Sequence, residues 1–401
     1  MDRNNIQSVI DIDQCTGCCA CISVCPVTAI SISKDDYGFT IPQIDTEKCT
    51  RCGKCRATCP SLEVQICEPI DCYSGISKND ELLLMSSSGA IFPVIARMIL
   101  KEGGVIYGAT MTSDFKVKHI RVTDSDNLPL ILGSKYIQSY MGNTYDSIIS
   151  DLKNGKTVLF SGTPCMISAA RNYCGYIRKG KLILIDVVCH GVPSQDFFDS
   201  YLAYLSERIG EIDSYQFRAK RYEKNGMNWF FSYRKKPEKR SRIYNWPEDP
   251  FNYLYMMSDI YRESCYSCKY ACSKRPGDIT LCDFWGWDKY HNEFPLGSTV
   301  SGILINTEIG KEVFDIIKNS IIFVKTDYSN IRDNNGCLKK PSNRPPSQNY
   351  ILAEWKNEGF AAVARKYGQK NRKALFKAKL VRLLPASIIG FYNRKLSNKN
   401  K

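Results

Sequence analysis

The chain has 401 residues, 43% hydrophobic and 11% aromatic, with 19 cysteines, three histidines and a formal net charge of +14. This is the composition of packed globular domains, with room for one small module plus one large domain or two medium ones. Three histidines (His119, His190, His291) exclude a histidine-rich metal centre, and the polar start MDRNNIQSVIDID argues for reduced thiols in a cytoplasmic protein rather than a secreted disulfide framework.

The first elements in chain order are two cysteine runs. Cys15, Cys18, Cys21 and Cys25 stand at C-x2-C-x2-C-x3-C before Pro26, and Cys49, Cys52, Cys55 and Cys59 repeat the spacing before Pro60. This doubled run is the ligand pattern of a bacterial-type module with two 4Fe-4S clusters, in which the fourth cysteine of each run reaches the other cluster. Cys15, Cys18, Cys21 and Cys59 are therefore expected to hold one cluster, and Cys49, Cys52, Cys55 and Cys25 the other. Zinc is the competing reading, but a zinc site takes two cysteine pairs, not three cysteines within seven residues plus Cys-Pro, twice.

Residues 1–66 thus read as a ferredoxin module, with Gly38 and Pro42 in a turn-rich link between its halves. A short connection follows, and from about residue 81 strands and helices alternate. Residues 82–85 lead into a Ser/Gly loop, 90–101 have helical periodicity, and 104–109 read as a strand. The apolar runs 157–161 and 182–189 suit strands covered on both faces, while 166–174 and 195–209 look helical. The fold class expected is α/β (α+β overall), the small dicluster module preceding a larger α/β domain over 81–330. Residues 218–242 read as a loop or irregular hairpin and 331–348 as a linker. Residues 349–401 read as a basic helical tail.

From residue 359 to 401 there are twelve Lys or Arg and no Asp or Glu, and Leu375, Phe376, Leu380, Leu383 and Leu384 recur near helical spacing. Such a segment suits either an anionic membrane surface or a helix packed on its own domain with a solvated basic face. Nucleic acid is not expected, because no reading motif accompanies the charge. No run of about eighteen apolar residues offers a membrane span.

Further cysteines suggest a third site. Cys165 follows strand 157–161 in the turn GTPC, Cys189 ends strand 182–189 before His190, and Cys265 and Cys268 form a C-x2-C pair. If the two strands are parallel neighbours, Cys165 and Cys189 emerge at the carboxyl edge where open α/β sheets build their sites. The C-x2-C pair would complete a four-thiolate cage, with Cys272 and Cys282 as rival ligands.

The stretches SSSGAIF (86–92), GGVIYGA (103–109), GSKYIQS (133–139), GKTVLFSGTPC (155–165), LILIDVVCHGVPS (182–194) and CYSCKY through DITLCDFWG (265–286) resemble the coenzyme F420 hydrogenase/dehydrogenase beta-subunit family with a fused dicluster ferredoxin. The resemblance implies a flavoprotein holding FAD beside a third 4Fe-4S cluster, with Cys165, Cys189, Cys265 and Cys268 as that cluster's ligands. For the flavin it raises Ser87, Ser88 and Gly89, a loop whose backbone amides suit a pyrophosphate at a helix start. It also raises Lys135, Tyr136, Gly162, Thr163, Asp283, Trp285 and Gly286. The sequence departs from the family where Ala90 replaces a second glycine, Met166 a glutamine and Cys282 a glycine.

The function expected is an iron–sulfur flavoprotein oxidoreductase. A redox partner protein, a ferredoxin or a reductase, would load the clusters, and FAD would pass electron pairs onward. The acceptor would be coenzyme F420 or a sugar- or lipid-linked intermediate of polysaccharide synthesis, with His190 the candidate proton donor. The alternatives are an electron-transfer protein without flavin and a zinc-stabilised module without redox function.

Overall fold

The structure, a computed structural model, describes residues 10–177, 179–220, 230–385 and 388. Expectations for the first nine residues, for the middle of 218–242 and for nearly all of 386–401 lie outside them.

The cysteine runs fold around two short helices, α1 (Ala20–Ser23) and α2 (Lys54–Thr58), with the hairpin β1 (Ile30–Lys34) and β2 (Thr40–Ile44) between them. Pro42 sits inside β2 opposite Ile32, so the expected turn-rich link is a hairpin. The proline is tolerated because, among the described residues, β2 pairs on one side only.

Next come β3 (Asp71–Ser77), α3 (Asp80–Met85), α4 (Ile91–Lys101), β4 (Val105–Met111) and β5 (Val117–Val122). After them run α5 (Thr144–Lys153), β6 (Thr157–Gly162), α6 (Pro164–Cys174), β7 (Lys181–Val187) and α7 (Gln195–Ile209). The strands β8 (Ile212–Ala219), β9 (Phe230–Lys235) and β10 (Arg242–Asn245) form a separate antiparallel sheet, where the sequence suggested a loop or irregular hairpin. Its buried Phe217, Phe231 and Tyr233 join an aromatic core beneath α7 and α8 (Pro250–Met256).

The chain then re-enters the main sheet through β11 (Ile279–Asp283), β12 (Ser301–Ile305), α9 (Glu308–Ile317) and β13 (Ile321–Lys325). It ends in α10 (Tyr328–Arg332), α11 (Gln348–Glu358), α12 (Phe360–Tyr367) and α13 (Arg372–Leu383). Among the described residues the main sheet has eight strands in the order β13-β3-β12-β11-β7-β6-β4-β5. Its middle is parallel: β4 pairs with β6, β6 with β7, and β7 with β11. The expected α/β fold is therefore present, and β6 and β7 are the parallel neighbours on which the third-site argument depended.

Three further segments differ from their sequence reading. Asp71–Ser77, taken as connection, is an inner strand: Gly75 fits because an added Cβ would press Ile303 at 3.1 Å. Residues 331–348 are no free linker. Asn335, Cys337 and Leu338 are buried, Asn335 Nδ2 donates to the Asp283 carbonyl (3.0 Å), and Ser342 Oγ donates to the His190 carbonyl (2.7 Å). The tail is also divided. Ile351, Leu352, Phe360 and Val363 of α11 and α12 belong to the aromatic core, and only α13 lies peripherally. There Ala378 is buried, and Arg382 bonds the Ile243 carbonyl and Glu248. Phe376 and Leu383 are 70% and 75% exposed, so the apolar stripe faces outward. Among the described residues no helix is long and apolar enough to cross a membrane.

Candidate metal centres and adjoining cavity

Each N-terminal run turns back on itself with a matching pair of left-handed residues. Gly17 (φ 63°) and Cys19 (φ 64°) flank Cys18, and Arg51 (φ 56°) and Gly53 (φ 74°) flank Cys52. Consecutive left-handed turns point backbone amides inward, making a concavity suited to a net-negative cluster; Gly17 N–H already lies 3.4 Å from Cys15 Sγ. Gly17 is also a close-approach point, because a Cβ there would fall 2.0 Å from Gln138 Nε2.

Cys59 acts electrostatically on Cys18 and Cys21 and is itself acted on by Cys15. The chain therefore brings Cys15, Cys18, Cys21 and Cys59 near one another, with Cys55 also acting on Cys21 from the same small core. Cys25 and Cys49 pack against the small core that includes Cys55, while Cys52 is exposed.

The third set converges from two strand ends and one loop. Cys165 opens α6, with Thr163 Oγ1 3.3 Å from its sulfur. Cys189 follows β7, and Cys265 and Cys268 lie in the loop beyond α8. Burial pushes Cys189 well above an ordinary thiol, with Cys265, Cys165 and Cys268 adding to it. Burial likewise moves Cys265 up to about 12 and Cys268 to about 11. Burial raises all four thiols, and cationic metal would convert such a donor set to thiolates. The rivals turn elsewhere: Cys272 Sγ points to the carbonyls of Lys269 and Lys274, and Cys282 Sγ to that of Gly302 (3.7 Å).

Among the described residues no three Cys, His, Asp or Glu side chains close tightly enough for a single ion. A four-iron cluster spreads its thiolates further apart than one ion does, and the described N-terminal cysteines likewise form no single-ion group.

Arg275 holds this set in place. It is 1% exposed and pairs with Asp186 (0%) through Nε at 3.0 Å and a second nitrogen at 2.5 Å. It also donates to the carbonyls of Tyr270 and Val187, so one guanidinium ties the C-x2-C loop to the end of β7. Asp186 accepts further from Thr280 Oγ1 (2.7 Å) and Gly277 N–H (3.1 Å).

The same loop docks onto one N-terminal set. Ser264 Oγ and Arg262 donate to the Cys15 carbonyl (2.9 and 3.0 Å), and Tyr270 OH donates to the Pro60 carbonyl beside Cys59 (2.6 Å). Arg262, 3% exposed, also bonds the Thr40 carbonyl and Gln138. Neighbours of Cys265 and Cys268 thus touch neighbours of Cys15 and Cys59 directly. The sequence reading missed Arg262 and Arg275, although two arginines bracketing a cysteine pair were visible in it.

A cavity of about 950 Å³ opens at this carboxyl edge, and the four cysteines of the third set form part of its wall. Ser87, Ser88, Lys135, Tyr136, Gly162, Thr163, His190, Asp283 and Trp285 also line it. Two expected residues do not. The Gly89 amide is spent on Ser301 Oγ (2.9 Å), and its Cα packs so closely that a Cβ would meet the Gly75 carbonyl at 2.3 Å. Gly286 (φ 70°) shapes the turn after β11 instead. Gly89 is thus a packing residue, because strand β12 takes the donor that a phosphate would need.

Lys135 stands on the cavity wall, and Lys220 lies behind it. Burial lowers the Lys135 ammonium to about 7, its Nζ donating to the Leu132 carbonyl (2.6 Å). Burial also lowers Lys220 to about 7; it donates to the carbonyls of Leu83 and Ser88, behind the Ser loop. An anion nearby would restore both charges. Arg218 pairs with Asp283 (2.5 Å) and lies over the Trp285 ring at 5.6 Å. Tyr136 stacks on Tyr255 (4.4 Å between centroids), so one ring face is already covered. His190 is exposed, and its imidazole is raised by a hydrogen bond to Cys337. Lys220, Arg218 and Cys337 lay in segments read as loop or linker, where no periodicity marked them.

Residues 155–329 match the family model for the C-terminal part of the coenzyme F420 hydrogenase/dehydrogenase beta subunit, and residues 14–62 match that of the 4Fe-4S dicluster domain. Among solved structures, a chain of the F420-reducing [NiFe] hydrogenase complex from Methanosarcina barkeri is similar. Its identity is 14% and its TM-score 0.45, with 76% of this chain and 92% of that chain covered. No curated protein matches.

Proposed function

With residues 155–329 belonging to the coenzyme F420 hydrogenase/dehydrogenase beta-subunit family and residues 14–62 to the 4Fe-4S dicluster family, we propose that this iron–sulfur electron-transfer protein is a ferredoxin-linked, FAD-dependent oxidoreductase. One observation carries the reading: the third cysteine set hydrogen-bonds through its neighbours to the Cys15–Cys59 set and forms the wall of a cavity large enough for a cofactor. Cys25, Cys49, Cys52 and Cys55 would hold the outer cluster, Cys15, Cys18, Cys21 and Cys59 the next, and Cys165, Cys189, Cys265 and Cys268 the third, a series that would supply single-electron transfer from exposed Cys52 to the cavity.

Bound FAD would supply the exchange between single electrons and electron pairs. The chain's own part is placement. Lys135 and Lys220 attract the anionic portion of a ligand, Arg218, paired with Asp283, lies over Trp285 on the wall, and His190 stands there as proton donor. The donor is a redox partner protein. The acceptor is a small molecule, either a deazaflavin such as coenzyme F420 or a sugar- or lipid-linked intermediate. The outward apolar stripe of α13, set among Lys373, Lys377 and Lys379, suits contact with an anionic membrane where lipid-linked acceptors reside.

One observation favours the flavin-free alternative: the Gly89 amide is already occupied. The test is anaerobic mixing with reduced methyl viologen, followed optically. The N-terminal clusters and a bound flavin should bleach in sequence, and Cys268→Ala should leave the first phase and abolish the second. A protein with no flavin phase and no bound flavin supports the alternative.

A further inference from the structure

Tyr145 lies in the first turn of α5 and is fully buried. It shares a core with Cys18, Cys19, Met166 and Cys174, and Cys165 packs at that core's edge. Helix α5 touches both α1, which follows Cys18, and α6, which carries Cys165. The Tyr145 ring meets Phe160 and Tyr173 edge-on, at 6.2 and 6.3 Å between centroids, so its direction is fixed by packing.

Its hydroxyl is buried without a hydrogen-bond partner. Orphans of this kind are rare in native cores, and a phenol placed in one normally meets an acceptor. A phenol keeps its proton at neutral pH and is a donor. Around it lie Cys18, Cys19 and Cys174 in the same core and Cys165 at that core's edge. Two of these belong to different proposed clusters. Tyr145 therefore stands between the N-terminal set and the third set, with an unspent donor.

We propose that the Tyr145 hydroxyl donates to a sulfur of the cluster held by Cys15, Cys18, Cys21 and Cys59, and raises that cluster's reduction potential. Hydrogen bonds to cluster sulfurs stabilise the more negative, reduced state, and burial strengthens them. The inference rests on the cluster reading above and adds a tuning residue to it. Tyr145 makes this cluster the electron-accepting partner of the more exposed one, directing flow inward to the cavity.

The test compares the full-length chain with Tyr145→Phe, both prepared anaerobically, by iron content and by redox titration followed with electron paramagnetic resonance. Unchanged iron is expected, with one couple lowered by about tenfold in its reduction equilibrium, about 59 mV for one electron. The other couples should not move. Equal iron with equal potentials overturns the inference alone, whereas a wild-type chain without iron overturns the cluster reading as well. Should Tyr145→Phe lose iron, 3,5-difluorotyrosine at position 145 keeps the ring and strengthens the donor. The same couple should then rise, and an unmoved couple overturns the inference.

Discussion

Replacing Arg275 by methionine removes the guanidinium that joins the C-x2-C loop to β7. Asp186, at 0% exposure, would keep only Thr280 and Gly277 as donors. Breaking one side of a buried pair leaves an uncompensated charge and costs about 3–5 kcal/mol. At roughly 2–4 °C per kcal/mol, the melting midpoint should fall by on the order of 10 °C. The loop also loses its tether at the Tyr270 carbonyl, so Cys265 and Cys268 drift from Cys189. Iron should fall by about four atoms per chain out of about twelve, with the N-terminal clusters kept. Adding Asp186→Asn removes the stranded charge and should restore most of the stability but not the iron. Anaerobic thermal melts with parallel iron and sulfide assays measure both effects. Wild-type melting and full iron in Arg275→Met would refute the clamp.

Ala90 caps α4 with φ 63°, a conformation costing an L-residue about 1–2 kcal/mol. Against glycine's extra chain entropy, Ala90→Gly should gain up to about 1 kcal/mol, read from the urea midpoint. Burial raises the Asp249 carboxyl to about 6, above about 3.9 for the unfolded chain, so the fold favours its protonated form. The stability contributed by Asp249 should be fully present below about pH 4 and fall by roughly 3 kcal/mol as pH rises through about 6; Asp249→Asn, which still caps α8, should remove that component of the pH dependence in denaturant titrations. Phe376→Ser with Leu383→Ser should abolish co-sedimentation with phosphatidylglycerol vesicles without changing the melting midpoint; equal binding by both proteins would count against contact through α13.

The features legible in the sequence are those written in local spacing. The cysteine runs announce the dicluster module, and two short apolar runs announce the parallel strands β6 and β7 that bring Cys165 and Cys189 to one edge. What stayed hidden depends on distant partners. Strand β3 carries glycine and serine instead of an apolar run, and only its place between β12 and β13 makes it a strand. The segment around Asn335 reads as linker because its polar groups serve the backbone carbonyls of Asp283 and Ile331 rather than water. Gly89 looks like a phosphate-binding glycine until Ser301, 212 residues away, takes its amide. Arg262 and Arg275 are invisible as clamps because their partners come from other elements.

We propose a third four-iron cluster in the wall of a cavity that takes FAD. Iron, sulfide and flavin per chain in anaerobically purified protein test it most directly. About twelve iron and about twelve sulfide with one FAD are expected. About eight iron with no flavin would contradict it, leaving only the N-terminal module as redox-active.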